Sequence, residues 1–162
     1  MGHITNGIHN GFHLGCNRQT HHHATTRNLK SAYEHPEVVD AYLARECQLG
    51  RVQRFPITSM PPLPELSTST IGVIPKRGQL NKWRLIVDLS SPKGTSVNDG
   101  ISSSLCSLSY ASLDDAVQML LTLGKNALLA KLDLKHAYRV VPVHPQDCPL
   151  LCMSWKEKVF LD

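Results

Sequence analysis

The stretch from Thr70 to Leu89 constrains the fold most. Two runs rich in β-branched and large apolar residues, Thr70 to Ile74 and Trp83 to Leu89, flank PKRGQLNK, which carries a glycine and polar turn residues. Such side chains suit a pleated strand better than a helix, so the spacing predicts a β-hairpin with a basic tip. Lys76, Arg77, Lys82, Arg84 and Lys93 fall between Thr70 and Asn98 with Asp88 as the lone acid. The whole chain has 17 Lys and Arg against 13 Asp and Glu, an excess of +4 that favours polyanionic partners without demanding them. The concentration of charge in the hairpin says more than the total.

The whole chain of 162 residues reads as one α+β domain, with 41% apolar and 19% charged residues near globular values. Residues 1–30, rich in Gly, Asn, Thr and His, read as a poorly ordered or loosely docked arm, and residues 31–162 as the ordered domain. Val38/Val39, Tyr42/Leu43, Cys47 and Leu49 recur at helical spacing after Pro36 and before Gly50, which predicts an amphipathic helix. Arg51 to Phe55 reads as a short strand, PITSMPPLPEL as an extended connector and SSPKGTSVNDGISSS as loop. Ser112 and Asp115 form a capping-box pattern ahead of LDDAVQMLLTLG, a helix expected to turn Leu113, Val117, Leu120 and Leu121 inward and to stop at Gly124. Ala127 to Asp133 reads as a short buried strand, HAY as one turn, VVPV as extended, and LLCMSW with VFLD as a second hairpin across KEK.

The start of the chain has no apolar core of signal-peptide length, and no run approaches the roughly 20 apolar residues of a membrane span. The expected setting is intracellular, cytoplasm or nucleus, without membrane. Five cysteines at irregular spacings fit reduced thiols better than a disulfide framework.

In KLDLKHAYRVVPV a single carboxylate, Asp133, ends an apolar run. A carboxylate at the exit of a strand is oriented by the sheet while its oxygens face solvent, the placement a divalent metal needs. Mg²⁺ takes few protein carboxylates and uses substrate phosphates for the remainder, so such an Asp needs cations nearby, and the first hairpin offers them. The plainer alternative is that Asp133 caps the turn at LKHAY.

Taken together, GVIPKRGQLNKWRLIVDLSSPKGTSVNDGI, SYASLDDAVQMLLTLGKNALLAKLDLKHAYRVVPVHPQD and LLCMSWKEKVFLD resemble, in order and spacing, the fingers and early palm of retrotransposon reverse transcriptases of the DIRS-type and gypsy-like groups. The likeness extends upstream through NGFHLGCNR and HPEVVDAYLARECQLGRV. It implies a fingers portion over about 31–111, the start of a palm over about 112–162, and an incomplete antiparallel sheet with packed helices. By the same resemblance Asp133 matches the first metal-binding and catalytic aspartate, and the carbonyl of Leu134 the backbone metal ligand. Tyr138 matches the gate under the incoming sugar, where its ring would crowd a 2′-hydroxyl. Arg84 matches the fingers arginine on the triphosphate, and either Lys76 or Arg77 the fingers lysine. A planar guanidinium suits bidentate phosphate contacts while an ammonium supplies a mobile charge. The implied cofactor is Mg²⁺ or Mn²⁺, and the implied partners are an RNA or DNA template-primer and deoxynucleoside triphosphates. The oligomeric state is left open.

Departures from the family pattern matter as much. The Tyr-x-Asp-Asp hairpin and the Leu-Pro-Phe-Gly block have no match, and Asp114 and Asp115 sit where helix capping explains them. The chain therefore resembles a truncated copy, with one carboxylate where the family's two-metal clamp uses three. It is expected to be inactive alone, with an open sheet edge. Two readings compete. His144, Cys148 and Cys152, with His13, Cys16 and His21 to His23, offer ligands for a zinc-stabilised module, although buried free thiols are simpler. The basic hairpin also suits a non-specific nucleic-acid binder without catalysis. Arg84 has a structural alternative in pairing with Asp88 or Glu65, and Trp83 is expected to pack the hairpin.

Overall fold

In chain order the elements are helices α1 (Gly2–Asn10), α2 (Lys30–Glu34) and α3 (Pro36–Gln48), strands β1 (Gln53–Pro56), β2 (Thr68–Pro75) and β3 (Trp83–Asp88), helix α4 (Leu113–Leu123), and strands β4 (Cys152–Trp155) and β5 (Lys158–Leu161). This computed structural model describes residues 2–18, 26–59, 66–106, 108–134 and 137–162. The fold is α+β, with one five-stranded sheet in the order β1-β5-β4-β2-β3. No described helix is long and apolar enough to cross a membrane.

Both hairpins form where the sequence predicts them. β2 and β3 pair antiparallel from Thr70 opposite Asp88 to Pro75 opposite Trp83, with Lys76 and Arg77 in the connecting turn. β4 and β5 pair antiparallel across Lys156 and Glu157, both at positive φ (47° and 60°), the backbone of a two-residue turn whose twist matches its strands. The two hairpins meet in parallel, Thr68 opposite Cys152 and Ser69 opposite Met153, so the sheet is mixed and not the purely antiparallel one expected. Local turn chemistry sets each hairpin, while the parallel join is a contact between segments some 84 positions apart, which no local pattern encodes.

The parallel ladder is only two residues long, and Asn28 takes over where it ends. Its side-chain nitrogen donates to the Ser154 carbonyl at 2.8 Å and its side-chain oxygen accepts from the Ile71 amide at 3.1 Å, which satisfies one backbone group on each strand. The segment 26–31 lies so close over β2 that a Cβ on Gly72 would sit 2.6 Å from the Leu29 side chain. Asn28→Ala removes both bonds and leaves the Ile71 amide and the Ser154 carbonyl without this partner. A loss of about 2 kcal/mol is expected in urea unfolding, and a loss below about 0.5 kcal/mol would mean that the two strands close the gap themselves.

The core lies between this sheet and α2 and α3. Ala32, Val39, Leu43, Ile71, Met153 and Trp155 are among its buried members, and Trp83 packs at its margin against His35, ring centroids 3.9 Å apart. α3 follows the predicted pattern over most of its length, with Pro36 in its first turn and Val39 and Leu43 covered, while Leu49 lies just past its end and is exposed.

The region from Leu108 to Val141 departs from expectation. α4 forms with its predicted capping box, the Ser112 hydroxyl accepting from the Asp115 amide at 3.1 Å and Asp115 accepting from the Ser112 amide at 2.7 Å. None of its residues is buried, however, and Leu113, Val117 and Leu121, expected inward, are exposed. Residues 127–133 form no strand. Leu128 and Leu132 are each 95% exposed, so the expected buried strand ending on Asp133 is corrected to an unpaired segment. The cause is physical: helix capping is local and survives alone, whereas a strand needs a neighbour's backbone and a covering layer. The described residues supply neither here.

The N-terminal arm is more ordered than its composition suggests. Gly2–Asn10 is helical, Phe12 bridges Val143 in parallel and Cys16 bridges Ile101 antiparallel. Residues 19–25, which include His21 to His23, lie outside the described set, as does Glu65.

Candidate functional site

Lys76 and Arg77 stand exposed in the β2–β3 turn, where the Lys76 amide donates to the Lys82 carbonyl at 2.7 Å. Arg84 is exposed on β3 opposite Ile74. No ion pair joins Arg84 to Asp88, which instead accepts from the Ser90 amide at 2.9 Å. The three cations thus share one end of one hairpin, with their charged heads in water.

Asp133 and Leu134 lie in the unpaired segment, and Tyr138, in a single 3₁₀ turn at Ala137–Arg139, is 99% exposed. No hydrogen bond or ion pair joins Asp133 to Lys76, Arg77, Arg84 or any other described residue. The hairpin thus gathers its three cations at one end, and none of them bonds directly to the Asp133 carboxylate.

Immediately after Tyr138 the chain is held firmly. Arg139 donates to the Tyr42 hydroxyl at 2.7 Å and pairs with Asp162, and its Nε lies 3.8 Å from Glu46 Oε2. Glu46, on α3, is buried and also faces Arg51 at 3.4 Å. Burial pushes the Asp162 carboxyl above its ordinary range, a displacement that Arg139 opposes and Glu46 reinforces. This network ties the turn at Ala137–Arg139 to α3 and to the end of β5. Sequence reasoning missed it, since Arg139 reads simply as the residue after the tyrosine, and its partners lie 97, 93 and 23 positions away.

A second polar cluster surrounds Asp147. Its carboxylate accepts from the Leu14 amide at 2.9 Å, meets His13 Nδ1 at 3.0 Å and pairs with Arg18 at 3.0 Å, while His13 stacks on His144 with ring centroids 3.9 Å apart. Burial acts to raise the Asp147 carboxyl, but the Leu14 amide, Arg18 and His13 outweigh it and hold the group below its usual value. Two of the residues expected as zinc ligands, His13 and His144, do meet here. Cys148 Sγ instead donates to the His144 carbonyl at 3.8 Å, and Cys152 is buried with its thiol pushed up to about 12 by that burial. A thiol so raised stays protonated and is a poor metal ligand. Among the described residues no three His, Cys, Asp or Glu side chains converge on a point where a metal ion would sit.

Shallow hollows indent the described surface. One is lined by Tyr33, Trp155 and Lys156, among others, and one by Cys47, Val52 and Phe55, and neither includes Lys76, Arg77, Arg84, Asp133, Leu134 or Tyr138. No family model, no curated protein and no solved structure matches the chain.

Proposed function

We propose that this chain is the fingers and first palm segment of a retrotransposon reverse transcriptase, built to bind a template-primer and a deoxynucleoside triphosphate. The observation that carries the reading is the ordered agreement of separate sequence blocks, from NGFHLGCNR through KWRLIVD and KLDLKHAY to KVFLD. The exposed cations at the β2–β3 hairpin support it, because Lys76, Arg77 and Arg84 keep their charges free for phosphate oxygens. In this reading Arg84 and one of Lys76 and Arg77 hold the triphosphate, Tyr138 stands under the sugar, and Asp133 is the first catalytic carboxylate.

The described residues build no resident metal centre. Asp133 and the Leu134 carbonyl would meet Mg²⁺ or Mn²⁺ only together with the phosphates of a nucleotide. One carboxylate does not make a two-metal clamp, so these 162 residues are expected to bind nucleic acid without extending a primer.

The test has two arms. Fluorescence anisotropy with a labelled RNA–DNA hybrid is expected to give an affinity that falls linearly with salt on logarithmic axes. The triple variant K76A/R77A/R84A should lower that slope by about 2 to 3. Binding without a salt slope would remove the assignment of the hairpin cations. Primer extension with Mg²⁺ or Mn²⁺ is expected to yield no product, and robust synthesis abolished by Asp133→Asn would overturn the single-carboxylate argument. Salt-dependent binding indifferent to the nature of the polyanion would favour a plain nucleic-acid binder.

A further inference from the structure

We propose that segment 130–134 pairs with the same segment of a second copy of this chain, forming a short antiparallel two-stranded ribbon about a two-fold axis at Leu132. The inference stands apart from the polymerase reading and requires no nucleic acid.

None of the backbone groups of residues 128–134 makes a hydrogen bond to another described residue, and Leu128, Leu129, Leu132 and Leu134 are 95%, 76%, 95% and 69% exposed. A run of unpaired donors and acceptors beside bare leucines has the chemistry of a strand without a neighbour. The order of residues supplies the register. In an extended chain successive side chains alternate between faces, so Leu128, Ala130, Leu132 and Leu134 form one stripe and Leu129, Lys131 and Asp133 the other.

Charge complementarity then selects the occupant. With Leu132 on the axis, Lys131 faces the partner's Asp133 and Asp133 faces the partner's Lys131, giving two ion pairs on one face. Leu132 meets the partner's Leu132, and Ala130 meets the partner's Leu134, on the other. An axis at Lys131 or at Asp133 would oppose like charges, and an axis between residues would lay the apolar stripe against the charged one. Opposite charges across an antiparallel pair attract and like charges repel, so Leu132 is the one centre that matches both faces. A two-stranded ribbon is marginal by itself; α4, with Leu113, Met119, Leu121 and Leu123 all exposed, offers the apolar surface to cover it.

Charge swaps test the register in analytical ultracentrifugation of the whole chain without nucleic acid. The wild type is expected to dimerise reversibly. K131D and D133K, each of which turns both attractive pairs into repulsive ones, are expected to weaken the dimer about tenfold or more. The double variant K131D/D133K restores opposite charges and should return the affinity to within about threefold of wild type. Near-UV circular dichroism from Trp83 and Trp155 checks that every variant keeps its core. A monomer at all concentrations, a dimer on which single and double swaps act alike, or aggregation indifferent to the swaps would each overturn the proposal.

Discussion

Replacing Arg139 with alanine is expected to cost the fold about 3 kcal/mol at neutral pH, measured by urea unfolding. The guanidinium has three partners, the Tyr42 hydroxyl and the buried Glu46 carboxylate on α3 and Asp162 just past β5. Removing it leaves two carboxylates in a half-dry space, and an uncompensated buried charge is far costlier than a lost surface pair. Arg51 remains beside Glu46 and limits the damage on that side. Asp162 has no such reserve among its described partners. Its folded pKa is already raised by burial, so it contributes stability below its unfolded pKa and loses that contribution as the pH rises through the folded value. Without Arg139 the folded value rises further. The penalty of Arg139→Ala should therefore be smaller near pH 4 than at pH 7, because Asp162 can take up a proton. Equal losses at both pH values would mean that the pair with Asp162 carries little. The same variant releases the turn bearing Tyr138 from α3, so amide exchange at Val140, whose amide donates to the Ala137 carbonyl at 3.2 Å, should accelerate with it.

What could be read in advance divides by the range of the interaction responsible. The two hairpins, α3 after Pro36 and the Ser112–Asp115 capping box follow from turn chemistry and periodicity within about a dozen residues, and they stand within a residue or two of their predicted bounds at most ends. The parallel join of β2 to β4, the Asn28 bridge and the Arg139 network depend on residues brought together across the chain, and a lone Asn or Arg carries no mark of its distant partner. The strand expected at 127–133 failed for a related reason. Its apolar residues record a demand for burial, but meeting that demand needs a layer that the described residues do not provide. The candidate site inherits the same split: the hairpin cations were legible because one turn gathers them, whereas the position of Asp133 relative to them depends on an unpaired segment.

Asp147→Ala is the other change expected to act strongly, and locally. The Asp147 carboxylate, with its side chain only 10% exposed, is the shared acceptor for the Leu14 amide, His13 and Arg18, and so pins the arm 11–18 against the segment before β4. Hydrogen bonds to a charged acceptor are worth about 1.5 to 3 kcal/mol each before the arm's own ordering is offset. Losing all three should undock the arm. Hydrogen exchange reads this at the amides that join arm to body: Phe12 to the Pro142 carbonyl at 2.8 Å, His144 to the Phe12 carbonyl at 2.9 Å and Asn17 to the Gly100 carbonyl at 2.7 Å. An acceleration of about 100-fold at all three is expected, equivalent to about 2.7 kcal/mol of local stability, with core amides such as Ile71 changing far less. The pH dependence has the opposite sign to that at Asp162. Asp147 is held below its ordinary value, so the docking it confers is complete above the unfolded value near 3.8 and is lost as the pH falls through the folded one. His144, stacked on His13, and the nearby Cys16 and Cys148 complete the set of titratable groups around it. Asp147→Asn keeps an acceptor for Leu14 but gives up the charge, so it should undock the arm only partly and flatten the acid limb. An acid limb unchanged in that variant would assign the transition to another carboxylate and leave Asp147 with a packing role alone.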